Sequence, residues 1–298
     1  MDSRETIRQA EGRVLTRPHY ELVPIKGMLE AARLLPAGSF ASVTCSPALG
    51  LDGSFELALQ LSELGLRVTP HLAARRVRAP AHLDSLLERM ASAGIRDVFV
   101  IAGDQTGHPG AFECGLDLVR ELRSRNAGLD TIGVPCYPEG HAFIGQDAIR
   151  EALLAKSEYA DYMVSQLCFN AGAILDWLRN TRRQGITLPL RIGVPGVLER
   201  RRLIGIAMRI GLGDSTRFLR KNTGLIGGLL GPSRYTPDGL LDGLAAGMAE
   251  SELAIEGLHI NTFNQIQATE EWRRERLESL PADTEAPQAK VAADGTHS

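Results

Sequence analysis

Residues 131–141 read Thr-Ile-Gly-Val-Pro-Cys-Tyr-Pro-Glu-Gly-His. The first half is an apolar run the length of one buried strand. The second crowds a phenol, a carboxylate, an imidazole and two backbone breakers into five residues. A buried strand that ends in a polar cluster is how α/β enzymes build sites, because the sheet fixes the strand end while the loop carries the chemistry.

The same alternation continues on both sides of this stretch. Upstream, 19–24, 40–45, 67–72 and 97–102 read as strands, followed by helices at 28–35, 55–65, 79–94 and 112–123. In the second of these helices Leu57, Leu61 and Leu64 recur at i, i+4 and i+7 on one face. Downstream, 130–136 is followed by a helix at 144–157, and 161–168 by one at 173–184. Further helices follow 188–194, and a last strand at 257–261 precedes a helix from 268 to 280. Strand, helix, strand at short spacing implies right-handed crossovers and a parallel sheet. Eight such units in ~260 residues have the size of a closed (β/α)8 TIM barrel, an α/β fold in a single domain. A doubly wound open sheet usually carries a glycine fingerprint after its first strand. Here the first strand runs into Ile25-Lys26-Gly27, with no G-x-G-x-x-G.

The domain plan follows from this pattern. Residues 1–18 read as a short helix or loose N-terminal arm, and 19–280 as the barrel. Residues 281–298 read as a disordered tail, too poor in large apolar residues to offset their ordering entropy. Between Gly211 and Pro237 the pattern loosens. A short extra helix is expected at 214–221, and the run GLIGGLLG at 224–231 reads as a flexible connection or close helix packing. It follows no clear strand and lacks the Lys-Ser/Thr pair of a phosphate cradle.

Composition narrows the function. With 33 basic and 36 acidic residues, a net charge of −3 offers no global field for nucleic acid or an anionic membrane, so a small-molecule ligand is expected. The N-terminus is charged where a signal peptide needs an apolar core, and no apolar run approaches the roughly 18 residues of a membrane span, which implies a cytoplasmic protein. Cys45, Cys114, Cys136 and Cys168 form no C-x-x-C pair and read as buried thiols. His71, His108, His141 and His259 show no ligand spacing, so no metal is expected. A homo-oligomer is left open.

In a barrel of this kind the site lies at the C-terminal ends of the strands. These ends carry Glu21, Thr44, His71, Asp104, Tyr137 with Glu139 and His141, Gln166, and Thr262 with Asn264; the seventh strand contributes Pro195-Gly196. A single polar strand end is often only a helix cap. The convergence of seven of them is the signal.

At this point the residues resemble a family. Gly103-Asp104 after an apolar strand, Tyr137-Pro138-Glu139-Gly140-His141 after the next, Ser165-Gln166-Leu167-Cys168-Phe169 on the sixth and Thr262-Phe263-Asn264 after the last are similar, in order and spacing, to the methylenetetrahydrofolate reductases. The resemblance runs from about residue 19 to about 275. It implies a (β/α)8 barrel that binds FAD, takes hydride from NADH or NADPH and reduces 5,10-methylenetetrahydrofolate to 5-methyltetrahydrofolate in one-carbon metabolism. Glu21 falls where the family has its general acid, which helps open the substrate's ring to the N5 iminium ion. A carboxylic acid does that work by holding its proton near neutral pH, which needs an apolar or like-charged surrounding; Leu22, Val23 and Pro24 supply part of one. Asp104 matches an aspartate near pterin and flavin, where its charge stabilises the iminium cation. Gln166 matches a folate-binding residue and Thr44 one at the nicotinamide site. His71, Gly103, Asp104, Gly115, Tyr137 and His141 fall at or near positions that hold FAD.

The departures from the family pattern are specific. Its usual arginine before Gly-Asp is Ala102 here, and its Pro-Glu-Ala after the histidine is Ala142-Phe143-Ile144. Lys156 is the residue nearest the expected phosphate-contacting lysine. The Thr-x-Asn-Arg block ends in Gln265, replacing the cation expected to meet the folate's glutamate tail. Each charged hydrogen bond lost around a pyrophosphate removes roughly 1.5–3 kcal/mol. Direct hydride transfer from NADH without flavin therefore stands as an alternative. So do oxidation of 5-methyltetrahydrofolate in the reverse direction and a non-redox pterin-binding barrel.

Overall fold

The computed structural model describes residues 3–103, 110–125, 128–209 and 234–280. Asp104, the helix expected at 214–221, the glycine-rich 224–231 and the tail at 281–298 lie outside the described residues. In chain order the first half comprises α1 (Ser3–Thr16), β1 (His19–Leu22), α2 (Met28–Ala32), β2 (Phe40–Val43), α3 (Gly50–Glu63), β3 (Arg67–Ala73), α4 (Pro80–Ser92), β4 (Asp97–Ile101), α5 (Gly115–Ser124) and β5 (Thr131–Cys136). The second half comprises α6 (Gln146–Ser157), β6 (Tyr162–Ser165), α7 (Ala171–Arg183), β7 (Leu190–Pro195), β8 (Leu198–Glu199), α8 (Arg200–Arg209) and β9 (Arg234–Tyr235). A helix at Asp238–Ala249, then β10 (Ile255–Asn261) and a closing helix at Ile266–Glu278 complete it.

Eight strands close a parallel barrel in the order β1-β10-β7-β6-β5-β4-β3-β2, so β10 is the eighth stave and β5 is the strand of residues 131–136. β8 and β9 form a separate antiparallel pair outside it. No described helix is long and apolar enough to cross a membrane.

Strand alternation divides the side chains into two cores. On β1, Leu22 is fully buried in the layer shared with the helices, and Tyr20 donates to Glu270 of the closing helix. His19 and Glu21 turn the other way, toward the barrel axis. The layer between strands and helices holds the main apolar cluster, including Leu72, Leu83, Leu118, Ile132, Leu178 and Leu258, each at 0–1% exposure. Burial of one such side chain contributes about 1.5–3 kcal/mol. Of the two readings for the N-terminus, the helix is the one observed. Val14 and Leu15 of α1 are buried, Glu11 pairs with Arg276 at 2.7 Å, and Arg273 donates to the Leu15 carbonyl at 2.9 Å. Of the four cysteines expected to be buried, only Cys136 and Cys168 are; Cys114 is exposed because it occupies the N-cap of α5.

The barrel interior is more polar than the branched aliphatic filling usual for this fold. Near its N-terminal end Asp97 accepts from Thr69 (2.8 Å), Thr131 (2.7 Å) and Tyr162 (3.0 Å). Arg191 lies over the Tyr162 ring, 3.6 Å from its centroid, and pairs with Glu256 at 3.2 Å. These groups plug the lower end of the barrel, with Arg191 Nε alone among them buried and unpartnered. The Tyr162 ring fits there because β5 has a glycine opposite: a Cβ on Gly133 would stand 2.3 Å from it. Gly133→Ala is therefore expected to destabilise the protein by about 1–3 kcal/mol through overpacking, measured by urea denaturation, with a smaller loss when Tyr162→Leu is already present.

Candidate active site at the barrel mouth

The site is built around Glu21, the third residue of β1, which registers with Asn261 of β10 on one side and Ser42 of β2 on the other. Glu21 Oε2 stands 3.0 Å from Nε2 of His259, and Asn261 Nδ2 donates to Oε1. Because β10 alternates, His259 and Asn261 point into the barrel while Leu258 and Ile260 are buried on the other face. Ser42 Oγ lies 3.5 Å from the same imidazole nitrogen. His71 of β3 completes the cluster, packed on Phe99 with ring centroids 4.7 Å apart.

A clasp at the end of β10 holds β1 in this register. The Glu21 carbonyl accepts from the Thr262 hydroxyl at 2.7 Å and from the Thr262 N–H at 3.3 Å. The Asn264 side chain acts like one more strand residue: Val23 N–H donates to its Oδ1 at 3.0 Å, and its Nδ2 donates to the Val23 carbonyl at 2.9 Å. This geometry requires a left-handed backbone at Phe263 (φ 47°) and Asn264 (φ 61°), a region asparagine tolerates better than most residues.

These contacts change the expectation for Glu21. Burial by itself would raise its pKa, but the hydrogen bonds from His259 and the Asn261 amide, with the favourable electrostatics of the imidazoles around it, outweigh burial and hold it below the ordinary value. The apolar pocket expected from Leu22 does not form, because strand alternation turns Leu22 to the helix layer. At rest Glu21 is a carboxylate. The opposite applies to His71, which burial pushes down to about 4 against the pull of Glu21, leaving its ring neutral.

Other strand ends converge on the same mouth. Gln166 follows β6, its N–H donating to the Cys136 carbonyl at 2.9 Å while its Oε1 is buried without a partner. Asn261 Oδ1 and His71 Nε2 are likewise buried and unpartnered. Thr44 is half-buried just beyond β2, with its N–H on the Leu22 carbonyl at 3.2 Å. Gly103 lies two residues beyond β4 with φ 88°, where a Cβ would meet that of Ala73 at 3.1 Å, and Gly115 is the buried first residue of α5. Tyr137 and His141 meet edge to face, centroids 5.1 Å apart, in the loop after β5. Glu139 fixes that loop to the next one by accepting from the N–H groups of Phe169 (2.9 Å) and Asn170 (2.8 Å).

Two candidates stand apart from this cluster. Lys156 lies in the last turn of α6, about 15 Å down the helix axis from Gln146 at a 1.5 Å rise per residue, and burial lowers its pKa. Its charge is felt at Cys136 and Cys114, the neighbours in sequence of Tyr137 and Gly115. Gln265 is exposed on the rim, at the N-cap position of the closing helix.

Sequence reasoning passed over His259, Asn261 and Arg75. The readable sign for the first two was their spacing of two on a strand. Arg75 follows β3; its N–H donates to the Ala102 carbonyl at 3.1 Å and its Nε to the Glu113 carbonyl at 2.8 Å. It has no carboxylate partner among the described residues, so a cation stands beside the position where Ala102 offers none. Histidine spacing also concealed a spatial group: ligand atoms of Glu21, His71 and His259 lie within 4.8 Å of one another.

The fold defines a single-domain (β/α)8 barrel with a polar mouth, and its relatives give the family. The methylenetetrahydrofolate reductase family profile matches residues 23–204, more than half of the chain, and the chain belongs to that family. It is 28% identical over 120 residues to methylenetetrahydrofolate reductase 1 of Schizosaccharomyces pombe, covering 38% of this chain and 20% of that protein. It is 32% identical over 134 residues to methylenetetrahydrofolate reductase (NADH) 1 of Zea mays, covering 39% and 22%. The Arabidopsis thaliana protein of the same name is 30% identical over 134 residues, with the same coverage. The matches thus span about a fifth of the length of these relatives.

The clasp gives a direct test. Asn264→Ala removes two hydrogen bonds to the β1 backbone and is expected to lower stability by about 2 kcal/mol, read by chemical denaturation. Asn264→Asp, which keeps the acceptor for Val23, is expected to lose less.

Proposed function

We propose that this protein is a methylenetetrahydrofolate reductase that transfers hydride from NADH or NADPH through FAD to 5,10-methylenetetrahydrofolate. The observation that carries the reading is Glu21: a carboxylate at the barrel mouth, hydrogen-bonded to His259 and Asn261 and adjoined by buried polar atoms that lack partners. Such atoms are rare unless a ligand completes them. The amide of Gln166 suits the donor and acceptor edge of a pterin. NADH as the donor is supported by the names of the maize and Arabidopsis relatives.

The chain's own part in the reaction is proton supply and charge placement. The Glu21–His259 pair becomes an acid by taking up one proton, which the 3.0 Å hydrogen bond shares between Oε2 and Nε2. Delivered to the substrate's ring nitrogen, that proton helps open the ring to the iminium ion, which then accepts hydride at its exocyclic carbon. Asn261 keeps the carboxylate in place by its second oxygen, and Asp104 is assigned the charge that steadies the cation.

FAD fits the described residues in part. Tyr137, His141, His71, Gly103 and Gly115 offer an aromatic edge, polar donors and glycine-lined space, and Arg75 is the cation placed to meet a phosphate near Ala102. When bound, FAD supplies reversible hydride acceptance and donation. Ala102, where the family has an arginine, favours direct transfer from NADH as the second reading. The purified protein is expected to show flavin absorbance that NADH bleaches and methylenetetrahydrofolate restores. A colourless protein that still oxidises NADH with the folate would assign direct transfer; no folate-dependent NADH oxidation at all would overturn the reductase reading.

A further inference from the structure

The group at the barrel mouth has the chemistry of a metal site. Glu21 from β1, His71 from β3 and His259 from β10 each present one ligand atom, all within 4.8 Å of one another. Two imidazoles and a carboxylate are a donor set for borderline first-row divalent ions, with Zn2+ foremost. Strands of one rigid barrel supply all three, so their backbones are fixed before any ion arrives.

A second observation points to a ligand. His71 is only 6% exposed, and its Nε2 is buried with no hydrogen-bond partner. The ring packs against Phe99, which explains its position but gives Nε2 no partner. Around the cluster, Asn261 donates to one oxygen of Glu21 and leaves the other facing His259. Orientation of a ligating carboxylate by a neighbouring amide is the usual outer support of a metal centre. Glu21 Oε2 and His259 Nε2 stand 3.0 Å apart in a direct hydrogen bond, and bonds of about 2.0–2.2 Å to a tetrahedral ion would part them by only a few tenths of an ångström.

We propose that Glu21, His71 and His259 bind a borderline divalent cation, Zn2+ or Co2+, at the mouth of the barrel. Binding replaces the hydrogen bond between Glu21 Oε2 and His259 Nε2, the Nε2 proton passing to Nδ1 or to solvent, and draws the His71 ring toward the carboxylate, giving two nitrogens and one oxygen with the remaining position open to water. The ion occupies the carboxylate that would otherwise deliver a proton, so the metal-bound protein is an inhibited form. That consequence rests on the reductase reading; the site itself does not.

The test is a titration of the full-length protein, stripped with chelator, with Co2+ in the absence of folate and nucleotide. The expected result is a saturable visible absorption at one ion per chain that Zn2+ displaces. His71→Ala and His259→Ala are expected to weaken binding by at least the roughly 10–100-fold that loss of an outer-shell partner costs. Glu21→Gln, which preserves shape while removing the anionic ligand, is expected to weaken it as well. His82→Ala, which alters an imidazole paired with Asp52 elsewhere on the molecule, is expected to titrate like the unaltered chain. Absence of saturable absorption, or affinity unchanged in Glu21→Gln and either variant of the two site histidines, overturns the proposal. Failure of folate turnover leaves this titration unaffected, so the two readings fall separately.

Discussion

The seam between the first and last strands is the constraint on which the mouth of this barrel depends. Seven staves follow one another in the chain and are drawn together by short crossovers, whereas β1 and β10 meet only after the chain has gone round. At this junction Thr262 grips the Glu21 carbonyl and Asn264 grips both backbone groups of Val23. The clasp sets the register that places Asn261 opposite Glu21. With that register fixed, alternation along β10 puts His259 on the same side two residues earlier, and a slip of one residue would turn both toward the helices.

The interior is divided along its axis by how its charges are satisfied. Toward the N-terminal end, Asp97 accepts three hydrogen bonds from protein hydroxyls and Arg191 is sandwiched between Tyr162 and Glu256, with Arg191 Nε alone of these groups buried and unpartnered. Toward the mouth, Glu21 is satisfied, but His71 Nε2, Gln166 Oε1 and Asn261 Oδ1 are not. Charges paired within the protein at one end, and three buried polar atoms without partners at the other, are the physical difference between a structural plug and a binding site. It also explains why the acid rests as a carboxylate: two donors on β10 outweigh the burial that would protonate it.

Much of the architecture was legible in the sequence because apolar runs and their spacing record which surfaces are covered. The stretch at 131–141 is a barrel strand followed by a polar loop, and Tyr137 and His141 do meet there. The strand ends named from sequence account for Glu21, His71 and Gln166 at the mouth. Sequence did not yield pairings between remote strands. Nothing local in Gly257-Leu258-His259-Ile260-Asn261 says that its two polar residues face a glutamate some 240 positions earlier, an offset fixed only by barrel closure. The expectation of an apolar pocket around Glu21 failed for a related reason: Leu22 and Val23 are neighbours in sequence, while the environment of an inward-pointing carboxylate is set by the strands on either side.

The central claim is that Glu21, held by His259 and Asn261, gives the proton that activates the folate. Its most direct test is to follow the two halves of the reaction separately in Glu21→Gln by rapid-mixing absorbance. Reduction of the bound flavin by NADH is expected to proceed at nearly the unaltered rate, and reoxidation by methylenetetrahydrofolate to slow by the roughly 100-fold or more attributable to general acid catalysis. Equal losses in both halves, or an unaltered rate of reoxidation, would contradict the assignment of the proton to Glu21.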